Sequence, residues 1–116
     1  MMTDPKVISV LGKDIQILFR KENADPKLKN CVGYFDSSKG WIIVKILEPD
    51  ENSLGDLECF QKEVLRHEII HAFLYESGLD ACSGPAANWA SNEEMVDWFA
   101  IQSPKIFRIF QEQGLV

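Results

Sequence analysis

Apolar residues in the first part of the chain occur in short runs, partly alternating with polar residues, as is typical of β-strands. Residues 7–11 and 15–19 form two such runs on either side of a turn that contains Gly12. A short glycine-containing connection between two such runs predicts a β-hairpin. The next segment, residues 21–31, is mostly polar and contains a proline, which predicts a loop or a short helical turn.

A second hairpin is predicted further along the chain. Residues 32–35 and 41–46 are rich in aromatic and β-branched side chains, and they flank the turn-rich segment 36–40. The two hairpins together predict a small antiparallel or mixed sheet of three to four strands in the N-terminal half.

A long helix is predicted after the strands. Ser53 is a suitable N-cap with Asp56 three residues later in a capping-box-like position, and Gly78 is suited to end the helix near Ser77. The predicted helix carries a broad apolar surface, formed by Leu57, Phe60, Val64, Ile70, Phe73 and Leu74. We therefore expect it to be largely buried.

Two more helices are predicted in the C-terminal part. Ser91 followed by Glu94 at position N3 forms a capping box. Ser103 and Pro104 resemble a new N-cap and N1 pair, so a last helix is expected from Lys105 to about Gln113. The whole pattern predicts an α+β fold in which a small sheet precedes a long helix and two C-terminal helices, within one domain of residues 1–116.

Composition and charge narrow the classes of function. The formal net charge is −6 and no strongly basic cluster is present, so we expect no nucleic-acid partner. The first residues lack the apolar core of a signal peptide, and no apolar run approaches the length of a membrane span. A cytoplasmic protein without membrane contact is therefore predicted.

The cysteines do not predict a disulfide framework. Cys31, Cys59 and Cys82 form an odd set of three at irregular spacing, without a CxxC pair. Reduced thiols are the ordinary interpretation for a cytosolic protein. The alternative is that the thiolate of Cys82 binds a zinc ion and so keeps a metal site inactive.

The strongest chemical signal is the segment His67-Glu68-Ile69-Ile70-His71, which contains both histidines of the chain. Residues four apart lie one turn apart on the same helix face, where two imidazoles can bind one Zn²⁺. Glu68 would lie beside the metal, where its carboxylate can accept a proton from water. The HExxH spacing therefore predicts zinc ligation by His67 and His71, with Glu68 as general base.

A catalytic zinc commonly has three protein ligands, and here the third must be a carboxylate because no further histidine exists. The candidates after the motif are Glu76, Asp80, Glu93, Glu94 and Asp97. Glu76 points away from the ligand face, Asp80 would crowd the helix end, and Glu94 is the capping-box partner. The second helix is the better source of the ligand.

Glu93 and Asp97 share a face of that helix, so one can bind zinc while the other accepts the N–H of a zinc-bound imidazole. We assign Glu93 to the metal and Asp97 to His67. The alternative is a solvated acidic face, which the dipole of a helix N-terminus also favours.

This pair of motifs, His67-Glu68-x-x-His71 followed by Asn92-Glu93-x-x-x-Asp97, resembles the gluzincins, the thermolysin-like zinc peptidases. Together, residues 67–78 and 96–100 more narrowly resemble small metallopeptidases encoded by phages and prophages. The resemblance implies a minimal zincin-like domain that hydrolyses a peptide bond of a peptide or protein substrate.

The chain departs from full-length gluzincins because it is far shorter and has no histidine left to stabilise an oxyanion. Tyr75 could supply a phenol O–H and Tyr34 is a second candidate, although each could equally pack with its hydroxyl at the surface. The resemblance also suggests residues 41–46 as an edge strand that holds substrate, although they equally suit a core strand. The alternative function is a zinc-binding phage accessory or regulatory protein without turnover.

Overall fold

The computed structural model describes residues 6–48, 56–79 and 92–116. These residues form four strands followed by two long helices: β1 (Lys6–Val10), β2 (Lys13–Arg20), β3 (Gly33–Asp36), β4 (Trp41–Lys45), α1 (Leu57–Glu76) and α2 (Glu93–Glu112). Two short 3-10 turns, Glu22–Ala24 and Pro26–Lys29, connect β2 to β3. The predicted α+β class, with a small mixed sheet ahead of the helices, is confirmed.

The strands form one mixed sheet in the order β1-β2-β4-β3. Both predicted hairpins are present, because β1 pairs with β2 and β3 pairs with β4 in antiparallel fashion. The parallel pairing of β2 with β4 then places β3 at an edge and β4 between two neighbours. Of the two interpretations of residues 41–46, the core strand is therefore confirmed and the substrate-binding edge strand is wrong, since both edges of β4 are already hydrogen-bonded.

Alternation along β2 determines the two faces of the sheet. Ile15, Ile17 and Phe19 point to the face that packs against α1, where they meet Val64 and Ala72. Leu18 points to the opposite face, where it packs beside its β4 neighbour Ile43 and is covered by Leu28 of the second 3-10 turn. Helix α1 thus lies on one face of the sheet, and the polar connection between the hairpins covers part of the other.

Helix α1 begins later than the sequence suggests. Asp56 is its N-cap, and the Asp56 carboxylate accepts a hydrogen bond from the backbone N–H of Cys59 at 2.9 Å. Asp56 therefore does not occupy the N3 position that was expected, and Ser53 lies outside the described residues. The helix ends as predicted, because Gly78 follows the C-cap Ser77 with a φ of +81°.

Fewer residues of α1 are buried than its apolar composition suggests. Its buried stripe consists of Gln61, Val64, Glu68 and Ala72, spaced three, four and four residues apart. Phe73 is exposed over 44% of its surface, so the expectation of a largely buried helix is wrong. The stripe directed at the sheet contains Glu68. Burial of an ionised carboxylate is unfavourable unless a charged or hydrogen-bonding partner compensates it.

Helix α2 begins at Glu93, with Asn92 as its N-cap. The Asn92 side chain accepts a hydrogen bond from the backbone N–H of Met95 at 2.8 Å, which makes Met95 the N3 residue. Glu94 therefore occupies N2 and does not form the predicted capping box, while Ser91 lies outside the described residues. The shift by one residue brings Glu93 to the first position of the helix.

The expected helix boundary at Ser103 and Pro104 is absent, because α2 continues through Pro104 to Glu112. A proline inside a helix has no N–H to give to the carbonyl four residues earlier, which here belongs to Ala100. The Ala100 carbonyl instead accepts a hydrogen bond from Nε of Arg66 at 2.6 Å. A partner from α1 therefore replaces the missing helical hydrogen bond, and the helix does not need to break.

The described residues can be compared with the expectations about membrane spans and cysteines. None of the helices in the described ranges has the length and apolar character needed to cross a bilayer. Cys31 and Cys59 are free thiols. Cys82, which was considered as a cover for the metal, lies outside the described residues.

Candidate metal centre

The helical geometry of α1 separates the three polar residues of the HExxH segment. His67 and His71 lie on the side of α1 that meets α2, one turn apart, and their ring centroids are 4.8 Å apart. Glu68 belongs to the stripe that faces the sheet and is only 6% exposed. The three side chains form a group whose potential ligand atoms lie within 4.8 Å of one another, so they could hold a metal ion.

Helix α2 brings a third ligand to the two histidines. Oε2 of Glu93 lies 2.8 Å from Nε2 of His67, and Oε1 of Glu93 lies 2.9 Å from Nε2 of His71. The two Nε2 atoms are 3.1 Å apart. Three potential ligand atoms from two helices therefore converge on one point, as the sequence predicts for His67, His71 and Glu93.

Asp97 contacts the other nitrogen of His67. Its Oδ1 atom lies 2.7 Å from Nδ1 of His67, so the ring can donate its Nδ1–H to this carboxylate. In the neutral ring this arrangement leaves a lone pair on Nε2, which is the form that a metal requires. The pairing matches the sequence-based assignment of Asp97 to His67.

The spacing of these atoms suits a metal ion. In a tetrahedral zinc site with bonds of about 2.0–2.1 Å, neighbouring ligand atoms are about 3.3 Å apart. The observed separations of 2.8 to 3.2 Å are slightly shorter, and they require only a small expansion to admit an ion. In a tetrahedral site, two imidazoles and one carboxylate would leave a fourth position open, a donor set that also occurs in catalytic zinc sites.

Burial changes the acid–base behaviour of Glu68. Removal from water raises the pKa of its carboxyl group from 4.5 to about 7, while the neighbouring His67 lowers it and Glu93 and Asp97 raise it further. A carboxyl group that titrates near neutral pH can both accept and return a proton. Glu68 is therefore better suited to proton transfer than a solvated glutamate.

Glu93 is shifted in the opposite direction. Its partial burial alone would raise its pKa, but hydrogen bonds and charge interactions with His71 and His67 bring the pKa below its ordinary value. The carboxyl group is therefore ionised at neutral pH, as a metal ligand must be.

A groove of about 690 Å³ opens beside these residues. One wall is the edge strand β3 with the residues that precede it, and the other is α1 from Phe60 to Tyr75. Glu93 and Asp97 close the groove from the side of α2. An extended chain that entered the groove along β3 would pass the two histidines and Glu68.

Gly33, the first residue of β3, allows this strand to approach α1 closely. The sequence alone showed only that a glycine lies within the predicted strand over residues 32–35. A Cβ atom at this position would lie 2.8 Å from Cγ1 of Val64 and 3.0 Å from the carbonyl oxygen of Ile43. It would also lie 3.5 Å from Oε2 of Glu68. The absence of a side chain at Gly33 therefore determines the distance between the groove wall and Glu68.

We expect Gly33→Ala to destabilise the fold by about 1–3 kcal/mol, because the added methyl group overpacks the contact with Val64 and the Ile43 carbonyl. Chemical denaturation measures this loss. Any activity should also fall, because α1 and Glu68 must move away from β3. Gly12→Ala is a matched control, since Gly12 has open space but a φ of +88°, so alanine there strains only a remote turn. Equal activity losses in the two variants would contradict the role given to Gly33.

The two tyrosines considered as oxyanion stabilisers differ in their surroundings. The Tyr34 hydroxyl donates a hydrogen bond to the Asp25 carboxylate, and burial together with this bond raises the pKa of Tyr34 to about 12. The O–H group of Tyr34 is therefore already hydrogen-bonded, on the side of β3 that faces away from α1. Tyr75 packs edge-on against Phe35 at a centroid distance of 5.9 Å, lines the groove and is 44% exposed. Of the two, Tyr75 is the better candidate.

Comparison with known proteins adds little to this geometry. No protein-family model and no solved structure matches the chain. Among curated proteins, 1-aminocyclopropane-1-carboxylate oxidase homolog 3 of Arabidopsis thaliana is 28% identical over 89 aligned residues. The match covers 71% of this chain but 24% of the plant protein, so the chain spans about a quarter of the length of this relative. The similarity is too low to assign a family.

Proposed function

We propose that the protein is a zinc-dependent metallopeptidase. The observation that carries this proposal is the convergence of Nε2 of His67, Nε2 of His71 and the Glu93 carboxylate beside the buried carboxyl group of Glu68. A metal site that only stabilised the fold would have no need for a buried glutamate with a raised pKa. The resemblance of the two motifs to gluzincins supports the same function.

His67, His71 and Glu93 would hold the zinc, and Asp97 would keep the His67 ring in the required orientation and tautomer. When bound, zinc lowers the pKa of a coordinated water and polarises the scissile carbonyl group. Glu68, whose carboxyl group lies beside the two histidines, would accept a proton from the attacking water and return it to the leaving amine. Tyr75, at the end of the groove, is the candidate donor to the developing oxyanion.

We further propose that the substrate binds as an added strand on β3. This strand pairs with β4 on one side only, and its residues line the groove. Backbone hydrogen bonds to an edge strand can hold an extended peptide without regard to its side chains. Such binding would direct the scissile bond towards Glu68, which lies across the groove from Gly33.

The charges in the groove favour a substrate with basic residues near the cleavage site. Glu63 lines the groove one helical turn before His67, together with the carboxyl groups of Glu68, Glu93 and Asp97. All 12 lysines and arginines of the chain lie within the described ranges, and none of them lines the groove. A bound zinc ion would offset part of this charge, and Glu63 and Asp97 would still attract a basic peptide more than an acidic one.

The donor set alone does not select zinc, because two histidines and one carboxylate also hold Fe(II) in non-haem iron enzymes. The name of the plant relative, an oxidase homologue, raises the same question. Glu68 favours zinc and hydrolysis, since a proton acceptor beside the metal serves water activation. Metal analysis of protein purified without added metal distinguishes the two ions.

The test of the proposal is cleavage of a peptide mixture by the zinc-loaded protein. We expect new peptide termini, identified by mass spectrometry, that disappear after chelation of the metal and return when zinc is added. Cleavage should occur mainly in peptides with lysine or arginine close to the cut. Zinc binding without cleavage of any peptide or candidate protein would favour the alternative, a metal-binding regulatory protein without turnover.

A further inference from the structure

A hydrogen bond between the two helices lies next to the candidate metal centre and is not explained by it. Nε of Arg66 donates to the carbonyl oxygen of Ala100 at 2.6 Å. Arg66 directly precedes the ligand His67 in α1, and Ala100 lies three residues after Asp97 in α2. The bond therefore joins the helices beside the contacts that Asp97 and Glu93 make with the histidines.

The Ala100 carbonyl is available to Arg66 because of Pro104. In an uninterrupted helix this carbonyl would accept the N–H of residue 104, but proline has none and its ring pushes the carbonyl aside. Ala100 is fully buried, so water cannot readily replace the lost partner. Without Arg66, this carbonyl of a buried residue would lose the donor that replaces the N–H of residue 104, within two turns of Glu93.

We propose that Arg66 is a positioning residue, which together with Pro104 fixes α2 against α1 so that Glu93 and Asp97 reach the two histidines. Helix α2 supplies only exposed carboxylates to the site, since the side chains of Glu93 and Asp97 are 68% and 61% exposed. Long exposed side chains do not hold a helix in place by themselves. The Arg66 bond to a buried backbone atom is directional and charge-assisted, and it ties down the backbone that carries both residues.

The inference rests on the proposed metal site, and a double-mutant cycle tests the two separately. Arg66→Met keeps the apolar stem and removes every donor. Pro104→Ala restores the backbone N–H that can bond to the Ala100 carbonyl. The cycle compares wild type, Arg66→Met, Pro104→Ala and the double variant, first as metal-free protein by thermal unfolding and then by zinc titration below the unfolding temperatures.

In the metal-free protein we expect Arg66→Met to lower Tm by about 5–10 °C, because it orphans a buried carbonyl. In the Pro104→Ala background the loss should be less than half as large. In the zinc titration we expect Arg66→Met to weaken affinity about 10-fold, near the lower end for residues that orient metal ligands. The double variant should bind zinc about as weakly as Arg66→Met, because the restored N–H satisfies the Ala100 carbonyl within α2 but does not link α2 to α1.

Ile15→Val is the matched control. It removes one methyl group from the sheet core at a fully buried position away from α2, so it lowers Tm without touching the link between the helices. It should leave zinc affinity unchanged. A drop in affinity that merely followed Tm would appear in this variant as well, and would overturn the positioning role.

Two further results would overturn the inference. One is wild-type zinc affinity in Arg66→Met. The other is wild-type zinc affinity in the double variant, which would show that the site needs only a satisfied Ala100 carbonyl and not the link between the helices. If wild type itself binds no metal, the proposed function fails, and the metal-free Tm cycle still decides whether Arg66 and Pro104 act on the same carbonyl.

Discussion

Replacing His71 with alanine should remove the metal from the purified protein. The ring of His71 supplies one of three converging ligand atoms, 2.9 Å from the Glu93 carboxylate and 3.1 Å from Nε2 of His67. With two ligands left, the site loses chelation and its fixed geometry, so we expect zinc affinity to fall by at least about 1000-fold, or roughly 4 kcal/mol. Elemental analysis after dialysis measures the metal content of each protein.

The same measurement on variants of α2 decides the identity of the third ligand. Glu93→Gln should also empty the site, because an amide oxygen carries no charge to offset that of the ion. Asp97→Asn should weaken binding by only about 10–100-fold, since Asp97 orients a ligand without being one. Glu76→Ala on the same helix as His71 is the control and should retain one zinc per chain. Full zinc occupancy in His71→Ala would contradict the proposed site.

Glu68→Gln should abolish hydrolysis while the metal and the fold remain. Glutamine has nearly the same shape as glutamate but cannot accept the proton of the attacking water. We expect the rate to fall by at least about 100-fold, the contribution commonly made by a general base. Peptide cleavage and zinc content measured on the same sample separate the loss of chemistry from the loss of metal.

The same variant should stabilise the metal-free protein at alkaline pH. The pKa of Glu68 is raised from 4.5 to about 7, so its neutral form favours the folded state below pH 4.5 and this advantage is lost as pH rises towards 7. Above pH 7 the wild type carries a buried charge, whereas Glu68→Gln does not. We expect the variant to be more stable by about 2–3 kcal/mol at pH 8 and by little at pH 5.

Denaturation of both proteins at pH 5 and pH 8, with chelator present, measures this difference. Glu63→Gln is the control, because Glu63 lies one turn away on the same helix and lines the groove without belonging to the buried stripe. It should show no comparable gain at pH 8. A Glu68→Gln variant no more stable than wild type at pH 8 would contradict the raised pKa and the proton-transfer role built on it.

The sequence was a good guide where local chemistry decides the outcome. Both hairpins follow from alternating runs around glycine-containing turns, and the end of α1 at Gly78 follows from its left-handed backbone. The approach of His67 and Glu93 was also predictable, because an HExxH segment needs a carboxylate and only the next helix offers a well-placed one. The hairpins and the helix end follow from neighbouring residues, whereas the approach of His67 and Glu93 follows from the chemistry of the two motifs.

Tertiary contacts decided the features that the sequence did not reveal. Pro104 was expected to start a helix, because no local rule shows that Arg66, 38 positions earlier, would satisfy the carbonyl it frees. The sequence left open whether the strand over residues 41–46 lies at an edge or in the core, and parallel pairing with β2 places it inside the sheet. The sequence of a single strand does not show which distant strand it pairs with, because both strands are apolar runs.

The division of the ligands between two helices also has a consequence during synthesis. His67 and His71 leave the ribosome well before Glu93, which follows His71 by 22 residues in the chain. Since folding during translation proceeds from the N-terminal side, the sheet and α1 can form while the nascent chain still lacks its third ligand. Under the proposed function, the newborn polypeptide would thus be unable to cleave other proteins, or itself, until α2 has emerged and docked.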